Sequence, residues 1–152
     1  MVLRTAFGVT GSREDAQDVL QTVFLRLVSR ELPPDLERNP KAYLYRAAVN
    51  VSVSLLRQRK RRPSMRLSEQ IEIPVAPSDS GVLEARHRLL YESLAEMDAQ
   101  SAEIVILRHV HGMSIQEIAA LLGKSRSLVA VRLFRSRARL KKMVLESWSR
   151  QS

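Results

Sequence analysis

"SIQEIAALLGKSRSLVAVRLFRSRARLKK", residues 114–142, is the stretch whose reading decides the fold. Ser114 and Glu117 are spaced as a capping box, and Met113 with Ile118 as a hydrophobic staple, so a helix begins here. Gly123 permits a tight turn, and Ser125 can cap a second helix. Ala119, Gly123 and Val129 stand at intervals of four and six. That is the pattern of a helix-turn-helix, in which a small residue lets two helices approach and valine packs the second onto the first. In the second helix Val129, Leu133, Ser136 and Leu140 face inward. Arg126, Ser127, Leu128, Ala130, Val131, Phe134 and Arg135 are left for a DNA groove, and Arg132 flanks the core stripe. Such a helix inserts its N-terminal end into the major groove while later basic residues grip phosphates. After Gly123 the stretch holds eight Lys or Arg and no acid. A plain helical hairpin with a glycine turn is the competing reading, and the basic run weighs against it.

Two helices precede this pair. In "LEARHRLLYESLAEM", Leu83, Leu90, Leu94 and Met97 share a face. Asp98 then caps "AQSAEIVILRHVH", which Gly112 ends. Further upstream, "PSMRLSEQIEIPVAPSDSG" (63–81) holds three prolines, four serines and a glycine, the composition of an extended linker. The alternation in "QIEIPV" hints at a short strand, which Pro74 opposes.

The N-terminal part is again helical. Ser12 caps a helix with apolar residues at Ala16, Val19, Leu20, Val23, Phe24 and Leu27. Its other side carries Glu14, Asp15, Asp18, Gln21 and Thr22 around a single Leu25. That side is either a protein contact or a solvated face with one stray leucine. A further helix starts at Asn39 and Pro40, with Leu44, Ala47, Ala48, Val51 and Leu55 as its buried stripe. Opposite stand Arg46, Asn50, Val53, Arg57 and Lys60, with Tyr43 alongside. Arginine and lysine suit phosphates, asparagine a base edge, and tyrosine an unpaired base. The set fits a partly opened duplex better than a lipid surface, because its apolar stripe is largely alanine and valine. A merely solvated basic face stays open as the alternative.

Composition agrees with an acidic partner. The chain of 152 residues has a formal net charge of +9 and 45% hydrophobic residues, enough for a core. Without cysteine it has no disulfide framework or thiolate metal site. It also shows no signal-peptide pattern, and no apolar run near the roughly 20 residues needed to cross a bilayer. A cytoplasmic location is expected. The expected fold is all-α: two small helical domains, 1–62 and 83–152, joined by an extended linker, 63–82, the second domain being the helix-turn-helix.

Three segments together resemble the extracytoplasmic-function sigma factors of bacterial RNA polymerase. "DAQDVLQTVFLRL" resembles the family's core-binding helix, "AYLYRAAVNVSVSLLRQRKRR" its promoter-melting segment, and "EIVILRHVHGMSIQEIAALLGKSRSLVAVRLFRSRARL" its region 4. The resemblance implies a transcription initiation factor that reads minus-35 and minus-10 elements and helps melt the DNA between them. It implies that Asp15, Asp18, Gln21, Thr22 and Leu25 dock on core polymerase. Arg46, Asn50 and Arg57, with Tyr43 and Lys60 on the same side, would hold the minus-10 element, and "RELPPDLERNPK" would capture a flipped base. Arg126, Ser127, Leu128, Ala130, Arg132 and Arg135 would read the minus-35 element. Members usually begin some twenty residues earlier, so either the start is truncated or the first domain is a short one. Tyr43 stands in place of the usual tryptophan. Lys124, Arg126 and Leu128 depart from the commoner residues of the reader helix, so promoter sequence does not transfer from relatives. Phe134, expected to be exposed, suits thymine methyls or an anti-sigma partner.

An enzyme is disfavoured. His109 and His111, two residues apart on a helix, diverge by about 200° and cannot share a metal. Nothing resembles a phosphate loop or a nucleophile motif, and no cofactor is expected. The alternatives are a stand-alone helix-turn-helix regulator, which needs only residues 83–142, and a protein adaptor using its charges for solubility.

Overall fold

The computed structural model describes residues 1–29, 31–61 and 80–151, with side chains of the last segment over 88–150. The described residues form eight α-helices and no strand: α1 Val2–Thr10, α2 Arg13–Ser29, α3 Pro34–Arg38, α4 Pro40–Arg61, α5 Ser80–Glu96, α6 Ala99–His109, α7 Ile115–Leu122 and α8 Arg126–Gln151. The fold is all-α, with α1–α4 and α5–α8 as its two helical halves. "QIEIPV" and the expected linker up to residue 79 lie outside the described residues. The last three residues of that expected linker, 80–82, open α5.

Helix ends follow local chemistry. Gly11, at φ 68°, closes α1 in the left-handed region, where its amide bonds the Phe7 carbonyl. Ser12 Oγ accepts the Asp15 amide at 3.3 Å to begin α2, and Asn39 Oδ1 accepts the Ala42 amide at 3.2 Å to begin α4. Asp98 caps α6 through the Ser101 amide. The capping box of α7 is complete, with Ser114 Oγ accepting from the Glu117 amide and the Glu117 carboxylate from the Ser114 amide.

The N-terminal half buries Ala6, Ala16, Val19 and Val23, against which Leu44, Ala47, Val51 and Leu55 of α4 pack. Leu20 and Phe24 fall outside this core, 41% and 62% exposed. The buried stripe of α2 is therefore narrower than its sequence pattern. Leu90, expected on the inner face of α5, is likewise 40% exposed.

The second half of the core has a different origin. Tyr45, Val49, Val53 and Leu56 of α4 share one cluster with Leu94 and Met97 of the α5–α6 corner, Ile104 and Leu107 of α6, and Val129 and Leu133 of α8. This second stripe lies roughly 150° around α4 from the first. Val53, expected beside the basic residues at the surface, is 2% exposed. Helix α4 is thus buried on two sides, once in its own half and once against the other.

Candidate nucleic-acid interface

The helix-turn-helix is assembled from α7 and α8. Ile118, Ala119, Val129 and Leu133 are all buried. Gly123 makes the turn at φ 63°, with its amide bonded to the Ala119 carbonyl. No heavy atom beyond its chain neighbours lies within 4 Å of a Cβ built there, so the glycine is required by backbone conformation and not by space. Ser125 Oγ accepts the Leu128 amide at 3.1 Å and sets the first turn of α8. That cap points Arg126, Ser127 and Leu128 outward, and all three are exposed. Arg135 and Phe134 are exposed too, Phe134 by 75%. Ala130 is half-buried. Arg132 is also half-buried and reaches Asp98 Oδ2 at 3.2 Å. Burial pushes the Asp98 carboxyl up, but the Ser101 hydrogen bonds and Arg132 outweigh it and hold the group below its ordinary value.

On α4 the basic residues are brought together but are not free. Arg46 Nε stands 3.6 Å from Glu103 Oε2. Arg57 donates to the Ala95 carbonyl at 2.8 Å and the Met97 carbonyl at 2.6 Å. Lys60 pairs with Glu96. Asn50 is exposed and Tyr43 half-buried. Asn50 lines a cavity of about 300 Å³ with Arg46, Gln100, Glu103, Lys124 and Arg132. Glu103 is 3% exposed and its Oε1 has no hydrogen-bond partner. Burial raises its carboxyl above the usual range despite Arg46 and Lys124 nearby.

The acidic side of α2 divides. Asp18, Gln21 and Leu25 are exposed, Leu25 by 55%, and Thr22 is half-buried with its hydroxyl on the Asp18 carbonyl. Asp15 is 2% exposed and ion-paired with Arg59, and burial raises its carboxyl against that pairing. In this arrangement Asp15 ties α2 to α4 and is not part of the open surface. Among the described residues no group of three or more His, Cys, Asp or Glu side chains could hold a metal, and no helix is long and apolar enough to cross a membrane.

Glu103 and the second stripe of α4 escaped the pattern reading. A signal existed for each: an acid inside the apolar run "AEIVILRH", and four apolar residues on α4 that its first stripe does not use.

Two families match the chain in order: Sigma-70 region 2 over residues 1–62 and Sigma-70, region 4 over residues 87–140. The RNA polymerase sigma-E factor of Streptomyces coelicolor is 33% identical over 144 residues, covering 92% of this chain and 77% of that protein. The chain belongs to the extracytoplasmic-function sigma factors. SigL of Mycobacterium tuberculosis, an ECF RNA polymerase sigma factor, is 30% identical over 132 residues, covering 86% of this chain and 75% of that one. Among solved structures, the sigma factor RpoE in complex with the anti-sigma factor NepR from Bartonella quintana aligns at TM-score 0.48 and 23% identity, over 93% of this chain and 89% of that one. This sigma factor is a promoter-specificity factor of RNA polymerase, with core enzyme and promoter DNA as its partners.

Proposed function

We propose that this sigma factor divides its work between residues 1–62, which bind core polymerase and the minus-10 element, and residues 83–152, which read the minus-35 element. The observation that carries this reading is the exposed N-terminal end of α8 on a correctly capped helix-turn-helix, in a chain whose other half matches region 2. Arg126, Ser127 and Leu128 reach base edges, while Arg135 and the later basic residues of α8 hold phosphates. Asp18, Gln21, Thr22 and Leu25 form the contact with core enzyme, a polar surface with one apolar anchor. Tyr43, Arg46, Asn50, Arg57 and Lys60 hold the opened minus-10 strand, tyrosine by stacking and the cations at phosphates. Extracting a base costs a few kcal/mol, which contacts to that base offset. The protein acts in the cytoplasm, where its polymerase is, and is not itself an enzyme. A stand-alone regulator would leave the whole region 2 half without a use.

The polymerase contact is tested by Asp18→Lys. The exposed charge reversal should weaken binding in a fluorescence titration with core enzyme and leave duplex DNA binding by α8 unchanged. Equal affinity for core enzyme would remove Asp18 from the contact.

A further inference from the structure

From Lys124 to Leu145 the chain carries no acid, so a negative charge that faces this stretch of α8 must come from another element. Asp98, the N-cap of α6, supplies one. Its Oδ2 accepts the Ser101 amide at 3.1 Å and Nη1 of Arg132 at 3.2 Å. A single oxygen thus starts α6 and holds a guanidinium of α8. The cap does not need the charge, because serine and asparagine cap a helix about as well as aspartate. The ion pair does need it.

Asp98 and Arg132 border a groove between the start of α6 and α8, together with Ser101, Ser127, Arg135 and Arg139. Asp98 is the single acid among the described residues that line it. Hydroxyls and guanidinium groups suit a phosphate, and a carboxylate among them opposes one. The pair is open to water, with the Asp98 side chain 58% and that of Arg132 34% exposed. Pairs of this kind are weak and screened by salt. A DNA phosphate, whose neutralisation releases a condensed counterion, can therefore draw the guanidinium away.

We propose that Asp98 is a counter-charge on the minus-35 surface: its carboxylate competes with a backbone phosphate of duplex DNA for Arg132 and lowers the affinity of α8 for DNA of any sequence. This rests on the reading of α8 as the minus-35 reader. Asp98 acts through Arg132 and is a positioning residue. Phosphate contacts are blind to sequence, so promoter choice stays with the base contacts of Arg126, Ser127 and Leu128. What Asp98 sets is how firmly the excess of non-promoter sites holds the factor.

The test compares Asp98→Ser with the wild-type full chain, since serine keeps the α6 cap and removes the charge. The probe is a short fluorescein-labelled duplex of mixed sequence, titrated by anisotropy over a series of salt concentrations. Asp98→Ser should bind about threefold more tightly, the worth of an exposed ion pair. It should also steepen the logarithmic salt slope by about 0.9, one further phosphate contact. In an Arg132→Ala background the slope difference should vanish, because the double-mutant cycle isolates the pair. Asp98→Asn, a second cap without charge, should shift the slope in the same direction. An unchanged slope in both Asp98 variants, with Arg135→Ala lowering it as expected, would overturn the proposal. Arg132 would then have turned inward to Glu103, whose cavity it also lines. A slope that steepens equally without Arg132 would overturn it too, as would weaker binding by both variants, which would make the carboxylate a brace for Arg132. If neither Arg132→Ala nor Arg135→Ala alters duplex binding, the reading of α8 itself fails and the proposal falls with it.

Discussion

Glu103 stands in an unusual position: a carboxylate 3% exposed, one oxygen facing Arg46 and the other without a partner. Burial dominates and raises its pKa, so folding favours the protonated form more than the unfolded chain does. A raised value means that the group's favourable contribution is complete below its unfolded value and is lost as pH rises through the folded one. Glu103→Gln should therefore raise the melting temperature at neutral pH. Its advantage should fade as pH falls toward 4.5, the ordinary value for the group. Arg46, 43% exposed, can return to water when its partner is neutralised, so the substitution does not strand a buried cation. Thermal melts of both proteins from pH 4 to pH 8 check this, and a constant offset across the range would contradict it. At the DNA surface, Arg135→Ala should weaken duplex binding and lower the salt slope by about 1, the loss of one phosphate contact. An unchanged slope would mean that Arg135 points elsewhere in the complex.

Among the helices, the α7–α8 pair depends on its caps. Ser114→Ala removes the acceptor for the Glu117 amide and should destabilise the protein by about 1 kcal/mol in urea denaturation. The Glu117 carboxylate, held below its ordinary value by the Ser114 amide, remains at the positive end of α7, so the loss should stay within that size. No measurable change would show that tertiary packing alone fixes where α7 begins. These ends were legible in the sequence because caps are local: Ser12, Asn39, Asp98, Ser114 and Ser125 each cap the helix expected of them. The faces of α2 and α4 were legible only in part. Periodicity gives an apolar stripe but not how many neighbours will cover it. Leu20 and Phe24 of α2 stay exposed, while α4 acquires a second neighbour that buries Val53. The outward face of α8, proposed above to read the minus-35 element, was easier to foresee, since the stripe of Val129, Leu133 and Ser136 is buried while Arg126, Ser127, Leu128 and Arg135 are exposed.

Across the molecule, the arrangement of the two halves was not written in any local pattern. It arises from long-range contacts of Gly8, Asn39 and Arg57 with residues far along the chain. Each of those three has an adequate local explanation: a helix glycine, a cap, a basic surface residue. The sigma-factor reading, by contrast, came from motifs in order along the chain, and the matches over 1–62 and 87–140 support it independently of how the halves pack. Promoter selection is the central claim. Its most direct test incubates the full chain with core RNA polymerase and fragmented genomic DNA and maps the 5′ ends of the transcripts. Discrete starts sharing two upstream elements, absent with core enzyme alone, are the predicted result. Starts indistinguishable from those of core enzyme alone, in reactions where the chain co-elutes with polymerase, would contradict it.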